Sequence, residues 1–126
     1  MSRTLTPGPD ERVGWGAIGF NIRLDGKNIV NLGDTLLQEK EWQSIINPDV
    51  LMIPIGGRTA HNIMDENEAI KAIKIMLPKL VIPCHYNSPA LFSRKYNPAN
   101  NKMFKQEVEK MGFECVILNR GNSTEI

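Results

Sequence analysis

Apolar and polar residues alternate through the first regular segment of the chain. Apolar residues occupy every second position over 18–24, with Asn21 and Arg23 between them. Because successive side chains of a strand point to opposite faces, this pattern predicts a strand with one apolar face. Asp25-Gly26 follows and is typical of two-residue hairpins, so a second strand over 28–32 should return antiparallel to the first.

Two later segments, over 50–55 and 80–84, are apolar throughout. Strands that are buried on both faces have this composition. Between them, apolar residues recur at intervals of three and four, which predicts a helix over 65–77. Asp65 and Glu68 form a capping-box pattern at its start. A strand, a helix and a strand are therefore predicted in this order.

Four further segments complete the predicted order. A short helix is predicted over 38–46, and an amphipathic helix over 101–111 is followed by Gly112 as its C-terminal cap. A strand is predicted over 113–118 and a short final strand over 123–126. The sequence thus predicts an α/β fold with a mixed β-sheet.

The predicted order leaves one face of the sheet without cover. Right-handed crossovers tend to place both long helices on the same face, whereas the two wholly apolar strands require cover on both faces. A large exposed apolar patch is rare in soluble monomers. We therefore expect this face to be buried, either in a two-fold symmetric homodimer or against a missing amino-terminal half.

Length and composition restrict the class of protein. The 126 residues suit a flexible, Pro- and Gly-rich lead-in over 1–13 and a single α/β domain over 14–126. The 15 basic and 14 acidic residues are well mixed, so no nucleic-acid-binding patch is predicted. No apolar run approaches the roughly 20 residues of a membrane span. Since no signal peptide is apparent either, a cytoplasmic location and no membrane partner are expected.

The two cysteines, Cys84 and Cys115, are expected to be reduced thiols in the core, because the sequence carries no secretion signal. Cys84 precedes His85 and could instead be a metal ligand or a nucleophile. Strand alternation argues against this alternative, because neighbouring side chains point to opposite faces.

Asp34 and His85 are the main candidates for chemistry. Asp34 follows the second predicted strand and His85 follows the strand over 80–84. Open α/β sheets gather their functional residues at the carboxyl ends of strands. A carboxylate can bridge two cations, and an imidazole can occupy one corner of a zinc site. A capping aspartate and a strand-end histidine are the plainer interpretations.

Several motifs occur in a fixed order along the chain. They are Asn-Leu-Gly-Asp-Thr at 31–35, the segment over 48–57, Met64-Asp65 with Glu68-Ala69, the segment over 78–86 that ends in Pro-Cys-His-Tyr, and the segment over 113–118. Together they resemble the carboxyl half of metallo-β-lactamase-fold hydrolases, in the branch of metal-dependent hydrolases without antibiotic activity, and the resemblance covers roughly residue 14 to the end. It implies one half of an αββα sandwich, with the helices on one face of the sheet and a di-metal site, commonly zinc, at one edge.

The resemblance also implies roles for individual residues. Asp34 corresponds to the aspartate that bridges the two metals, and His85 to the late histidine that ligates the second metal. The family's His-x-His-x-Asp-His motif has no counterpart, since the chain holds only two histidines, His61 and His85. The chain is therefore either a fragment of a longer protein or a naturally short one, and its metal site is incomplete.

Other residues are candidates for the surroundings of the site. His61 is either a solvated loop residue or a catalytic imidazole at the rim. Gly56 and Gly57 predict a turn with positive φ, or a loop that approaches the metals closely. The predicted site-lining residues are Gly56, Gly57, Thr59, Asn62, Tyr86 and Asn87.

Two functions follow from these observations. The first is a metal-dependent hydrolase, in which a metal-activated water attacks an ester, phosphodiester, lactone or amide of a small-molecule substrate. Asp34 and His61 would then be the catalytic residues, and the chain by itself is expected to be inactive. The alternative is a catalytically inactive half-domain that acts through self-association. A Mg²⁺- or phosphate-binding domain that uses Asp34 is less favoured, because no second acidic residue adjoins Asp34.

Overall fold

The computed structural model describes residues 18–60, 62–89 and 95–126. The predicted lead-in over 1–13 and His61 lie outside the described residues. The described elements are β1 (Phe20–Leu24), β2 (Lys27–Asn31), α1 (Glu39–Trp42), β3 (Val50–Pro54), α2 (Gly57–Ala60), α3 (Glu66–Met76), β4 (Leu80–Cys84), β5 (Ser88–Pro89), β6 (Lys95–Tyr96), α4 (Asn101–Lys110) and β7 (Glu114–Cys115).

Five strands form one mixed sheet in the order β1-β2-β3-β4-β7. β1 pairs antiparallel with β2, and the remaining neighbours are parallel. The hairpin turn between β1 and β2 places Asp25 at φ 49° and Gly26 at φ 74°. Two-residue hairpin turns with both central residues at positive φ match the right-handed twist of the strands. The carboxyl ends of β2, β3, β4 and β7 therefore share one edge of the sheet.

The long helix α3 begins and ends at the residues that the sequence indicates. The Asp65 side chain accepts a hydrogen bond from the backbone N–H of Glu68 at 2.8 Å, and the Glu68 side chain returns to the Asp65 backbone. Leu77 then adopts a left-handed conformation with φ 52°, immediately before Pro78. This reciprocal cap satisfies two backbone donors that a helix start leaves unpaired.

The helices and one face of the sheet enclose the main core. Trp42 of α1, Ile73 of α3 and Phe104 of α4 are all fully or almost fully buried, and they belong to one cluster with the strands. The predicted α/β fold, with a mixed sheet and helices on one face, is confirmed. The strand residues in this core are Val30, Leu51, Ile53, Val81 and Cys115.

The opposite face of the sheet has a separate, smaller apolar cluster around Val50, Leu80 and Ile82. Its apolar character continues onto β1, where Phe20 is 55%, Ile22 47% and Leu24 60% exposed. The alternation that predicted β1 is therefore real, but its apolar side faces away from the main core.

The amino edge of the parallel strands is closed by Asp49. Its carboxylate accepts hydrogen bonds from the backbone N–H of Asn28 at 2.8 Å and from Lys79 Nζ at 2.9 Å. Its backbone N–H donates to the carbonyl oxygen of Asn28 at 2.9 Å. These contacts lower the pKa of the Asp49 carboxyl, with the Asn28 hydrogen bond the largest cause.

Some predicted elements differ from the structure. The helix predicted over 38–46 is limited to Glu39–Trp42, whose start has no side-chain cap. The strand predicted over 113–118 is assigned only at Glu114–Cys115, and residues 123–126 form no strand. α2 and the β5-β6 pair were not predicted, since two- and four-residue elements leave no periodic pattern. Among the described helices, none is long and apolar enough to cross a membrane.

Candidate metal centre

Asp34 and His85 lie in direct contact at the carboxyl edge of the sheet. His85 Nδ1 and Asp34 Oδ1 are 2.6 Å apart, although the residues are 51 positions apart in sequence. Asp34 follows β2 and His85 follows β4, so the two side chains meet across the end of β3. The side chain of Asp34 is 60% exposed and that of His85 is 35% exposed. The two leading candidates of the sequence are therefore neighbours that solvent can reach.

The contact fixes the orientation of the imidazole. An ionised carboxylate can only accept hydrogen bonds, so Nδ1 of His85 carries the proton that it donates to Asp34. In the neutral ring, Nε2 then keeps its lone pair and can ligate a cation or accept a proton. A carboxylate that holds one ring nitrogen while the other faces a metal is a common arrangement of histidine ligands.

The backbone before Asp34 needs a glycine. Gly33 adopts φ 67°, and a Cβ atom there would lie 2.5 Å from the carbonyl oxygen of Ile18. The N–H of Gly33 donates to Asn31 Oδ1 at 3.0 Å. On the other side of Asp34, the carbonyl oxygen of Thr35 accepts a hydrogen bond from Met64 N–H at 3.0 Å. The loop that carries Asp34 is thus anchored on both sides.

His85 has an uncommon backbone conformation, with φ 53°. Only a few per cent of residues other than glycine adopt positive φ, and such residues often lie at functional sites. Gly56, at the end of β3, packs directly against the carbonyl oxygen of His85, and a Cβ atom would overlap it. The carbonyl oxygen of Gly56 also accepts a hydrogen bond from Asn97 Nδ2 at 3.2 Å. Gly56 therefore supports the peptide that positions the imidazole.

The interpretation of Gly56 and Gly57 as residues with positive φ is wrong. Neither is among the residues with positive φ. Both are needed for space, since a Cβ at Gly57 would overlap the carbonyl oxygen of Ile63. At both positions the structure shows close approach to another backbone segment, whereas the approach of this loop to the metals stays a prediction.

The other predicted lining residues have different surroundings. Thr59 on α2 and Asn62 after it are exposed. Tyr86 is half-buried and packs against the main core. The Asn87 side chain accepts from Ala99 N–H at 3.1 Å and donates to the Ala99 carbonyl at 3.0 Å, so it links the segment after β4 to the residues just before α4.

A cavity of about 500 Å³ opens beside His85. It contains residues that the sequence did not single out, above all Arg120, Asn119 and Asn101. The sequence could have indicated Asn119 and Arg120, because a strand over 113–118 that runs parallel to β4 must end at the same edge of the sheet. The described lining residues are Met52, Ile82, Pro83, Cys84, His85, Tyr86, Asn87, Ser88, Asn101, Leu118, Asn119 and Arg120.

Both cysteines are free thiols, as predicted. Burial raises the pKa of the Cys84 thiol and raises that of Cys115 to about 11. Cys84 nevertheless lines the same cavity as His85. Strand alternation does not separate the two side chains, because the left-handed backbone at His85 ends the extended conformation.

The described residues include suitable ligand types for a divalent metal, but too few of them lie close together. An imidazole and a carboxylate are suitable ligands for zinc and similar cations. Within 18–60, 62–89 and 95–126, however, no three His, Cys, Asp or Glu side chains lie close enough together to hold a metal ion. A tetrahedral zinc site takes three or four protein ligands. Asp34 and His85 can therefore supply only part of a site.

Comparison with known proteins agrees with this geometry. Residues 3–85 match the sequence profile described as the beta-lactamase superfamily domain, which is more than half of the chain. The chain belongs to the β-lactamase superfamily. The resemblance drawn from the motifs is confirmed, and the match includes both Asp34 and His85.

Superfamily members from bacteria and archaea show how much of the domain is present. The chain is 34% identical over 113 residues to a metal-dependent hydrolase from Natranaerobius thermophilus, covering 87% of this chain and 47% of that protein. It is 41% identical to a metal-dependent hydrolase from Pyrococcus abyssi, covering 87% of this chain and 46% of that protein. The chain thus spans about half the length of these curated relatives.

A solved structure supports the fold. A metallo hydrolase from Ignicoccus hospitalis is 34% identical and superimposes with a TM-score of 0.68, covering 82% of this chain and 43% of that chain. The described sheet and helices therefore correspond to about half of a metallo-hydrolase domain.

Proposed function

We propose that the chain provides part of the active site of a metal-dependent hydrolase. The observation that carries this proposal is the contact between His85 Nδ1 and Asp34 Oδ1 at the carboxyl edge of the sheet. Divalent cations bound there, with zinc as the first candidate, would acidify a water for attack on an ester, phosphodiester, lactone or amide. Zinc as the metal and a cytoplasmic location remain predictions.

Asp34 and His85 have distinct tasks in this proposal. Asp34 Oδ1 orients the imidazole, and its second oxygen makes no hydrogen bond to the described residues and remains available. His85 presents Nε2, the nitrogen that Asp34 leaves without a proton. Gly56 and Gly33 support the two backbones. His61, which lies outside the described residues, is a proposed proton donor at the rim.

The remaining ligands are proposed to come from outside the described residues. Two ligands leave a zinc site half empty, so the purified chain should bind zinc weakly and hydrolyse nothing measurably. Supplying the amino-terminal half of the Pyrococcus abyssi relative as a separate polypeptide should restore both properties. Zinc content by elemental analysis and hydrolysis of bis(p-nitrophenyl) phosphate, an activated phosphodiester, provide the two measurements.

The controls separate metal binding from folding. Asp25→Asn changes an aspartate in the β1-β2 turn, where Asn also tolerates the left-handed backbone, and should leave zinc content unchanged. Asp34→Ala should reduce it. Tight binding of about one zinc by the chain alone, lost in Asp34→Ala, would show that the described residues and their neighbours already complete a site. Restored zinc content without hydrolysis of this or related esters would count against the hydrolase.

The second candidate function is self-association without catalysis. The row of Phe20, Ile22 and Leu24 on β1 favours it, because all three side chains are about half exposed on the face opposite the helices. Two copies that stack these faces would bury apolar surface that each leaves in water.

A further inference from the structure

The cavity beside the Asp34–His85 pair is lined by both apolar and polar residues. Met52, Ile82 and Leu118 provide the apolar part, from β3, β4 and the segment after β7. Asn101, Asn119 and Ser88 contribute polar side chains at the same opening. A volume of about 500 Å³ is within the usual range for small-molecule sites.

The topology of the sheet brings Arg120 to this cavity. β7 pairs parallel with β4, in a register that aligns Leu80 with Glu114 and Val81 with Cys115. Val116 N–H also donates to the carbonyl oxygen of Val81 at 3.0 Å, which extends the pairing beyond β7. The chain after β7 therefore reaches the edge where β4 ends, beside His85.

The described part of the cavity lining has one charged group that is permanently basic. Among the described lining residues, Arg120 is the only Lys or Arg, and none is Asp or Glu. No hydrogen bond or ion pair joins the Arg120 guanidinium to any other described residue. Arg58 differs in this respect, because it pairs with Glu66 at 3.3 Å. An exposed guanidinium without a carboxylate, at the mouth of a cavity, is suited to a bound anion.

We infer that this cavity binds a small organic anion, with Arg120 at its carboxylate or phosphate group and a short apolar portion against Met52, Ile82 and Leu118. A carboxylate ligand and a phosphate ligand would share the same chemistry, namely one anionic group next to a few apolar carbon atoms. Arg120 is then a binding and specificity residue next to the proposed metal ligands. Its assignment as a substrate subsite rests on the proposed hydrolase, whereas anion binding itself does not.

The test is a titration of the intact chain, followed by two-dimensional ¹H–¹⁵N NMR. Phenyl phosphate and benzoate are the two anionic probes, and benzyl alcohol is the neutral counterpart of similar size. We expect at least one anion to shift the side-chain signals of Arg120, Asn101 and Asn119, with a lower Kd than benzyl alcohol. The anion that binds more tightly identifies the head group. Failure of both anions to shift these signals overturns the inference.

Two arginine variants make the test specific. Arg120→Gln keeps most of the side-chain length and removes the charge, so the Kd of the better anion should rise by about tenfold. Arg23→Gln removes an exposed arginine from β1, far along the sheet from the cavity, and should leave the Kd unchanged. An equal effect of both variants would mean general charge attraction and would overturn the site. Backbone spectra that match wild type show that each variant is folded.

The outcome is independent of the hydrolase. Anion binding that depends on Arg120, without metal-dependent turnover in the two-polypeptide assay, would retain the cavity and reject the proposed function. Turnover that is unaffected by Arg120→Gln, with no anion binding, would retain the hydrolase and reject the subsite.

Discussion

The two edges of the parallel sheet use the same residue type in opposite ways. At the amino edge, both oxygens of Asp49 are engaged, by Asn28 N–H and by Lys79. At the carboxyl edge, one oxygen of Asp34 contacts His85, and the other makes no hydrogen bond within the described residues. The fully partnered carboxylate ties strands together, whereas the half-partnered one is the proposed metal ligand. Under this proposal, the number of partners, rather than the residue type, separates a structural aspartate from a metal-binding one.

The backbone does not show the same division, because residues with positive φ occur at both edges. Asn47 and Leu77, which precede the strand starts at the amino edge, have φ 56° and 52°, and Gly33 and His85 at the carboxyl edge have φ 67° and 53°. At the carboxyl edge, Gly56 is in addition in close contact with the His85 peptide. Uncommon conformations persist only where their surroundings fix them. The proposed ligands therefore lie beside a backbone that close packing holds in place.

The largest effect expected is on catalysis, from Asp34→Asn in the two-polypeptide assay. Asparagine keeps the shape but removes the charge that binds a cation, so the rate should fall by at least about a hundredfold, beyond the usual loss for residues that only support a ligand. Asp49→Asn, the matched change at the other edge, should leave the rate within about twofold at a temperature where both variants are folded. Similar losses from the two variants would contradict the division between the edges.

The next effect concerns the assembly state and compares the two faces of β1. Ile22 lies on the exposed apolar face, and Arg23 points to the other side of the same strand. If the chain forms a dimer that buries roughly 800 Å² per partner, Ile22→Glu should convert it to a monomer while Arg23→Glu should not. Light scattering at micromolar concentration measures the mass. A monomeric wild type would reject self-association.

The third effect is on stability at the carboxyl edge. In Gly56→Ala, the new Cβ would overlap the His85 carbonyl and crowd Asn97, so the free energy of unfolding should fall by about 2–3 kcal/mol. Gly112→Ala is the control, because Gly112 has φ 91° but open space around it, and it should cost only about 1 kcal/mol. Urea denaturation compares the variants. Equal losses would show that space at Gly56 is not limiting.

Much of the fold could be predicted from local pattern. The alternation in β1, the Asp25-Gly26 turn, the apolar runs of β3 and β4 and the Asp65 capping box can each be recognised from the spacing of residues that are near in sequence. The pair of Asp34 and His85 was predicted from the carboxyl-end rule together with the family motifs. These predictions require only the spacing of apolar residues along the chain and the positions at which the strands end.

Other features depend on contacts that the sequence pattern does not contain. The role of Gly56 depends on the approach of the His85 carbonyl, and Arg120 reaches the cavity through the register of β7 with β4. The predicted strand over 123–126 is absent, so its short mixture of apolar and polar residues did not specify a strand. Tertiary contacts override local preference in such cases.

The smallest effect concerns acid stability at the amino edge. Hydrogen bonds from Asn28 and Lys79 lower the pKa of Asp49, so the folded carboxyl holds its proton less firmly than the unfolded one does. Its contribution to stability is therefore complete above the ordinary carboxyl pKa of about 3.9, and it is lost as the pH falls through the lower, folded pKa. The urea midpoint of wild type should fall over this acidic range, and that of Asp49→Asn should fall less. Asp25→Asn, at an aspartate without these partners, should follow wild type. If Asp49→Asn and wild type lose stability in parallel, other carboxyls dominate the acid response, and the amino edge owes its stability to backbone hydrogen bonds rather than to the charge of Asp49.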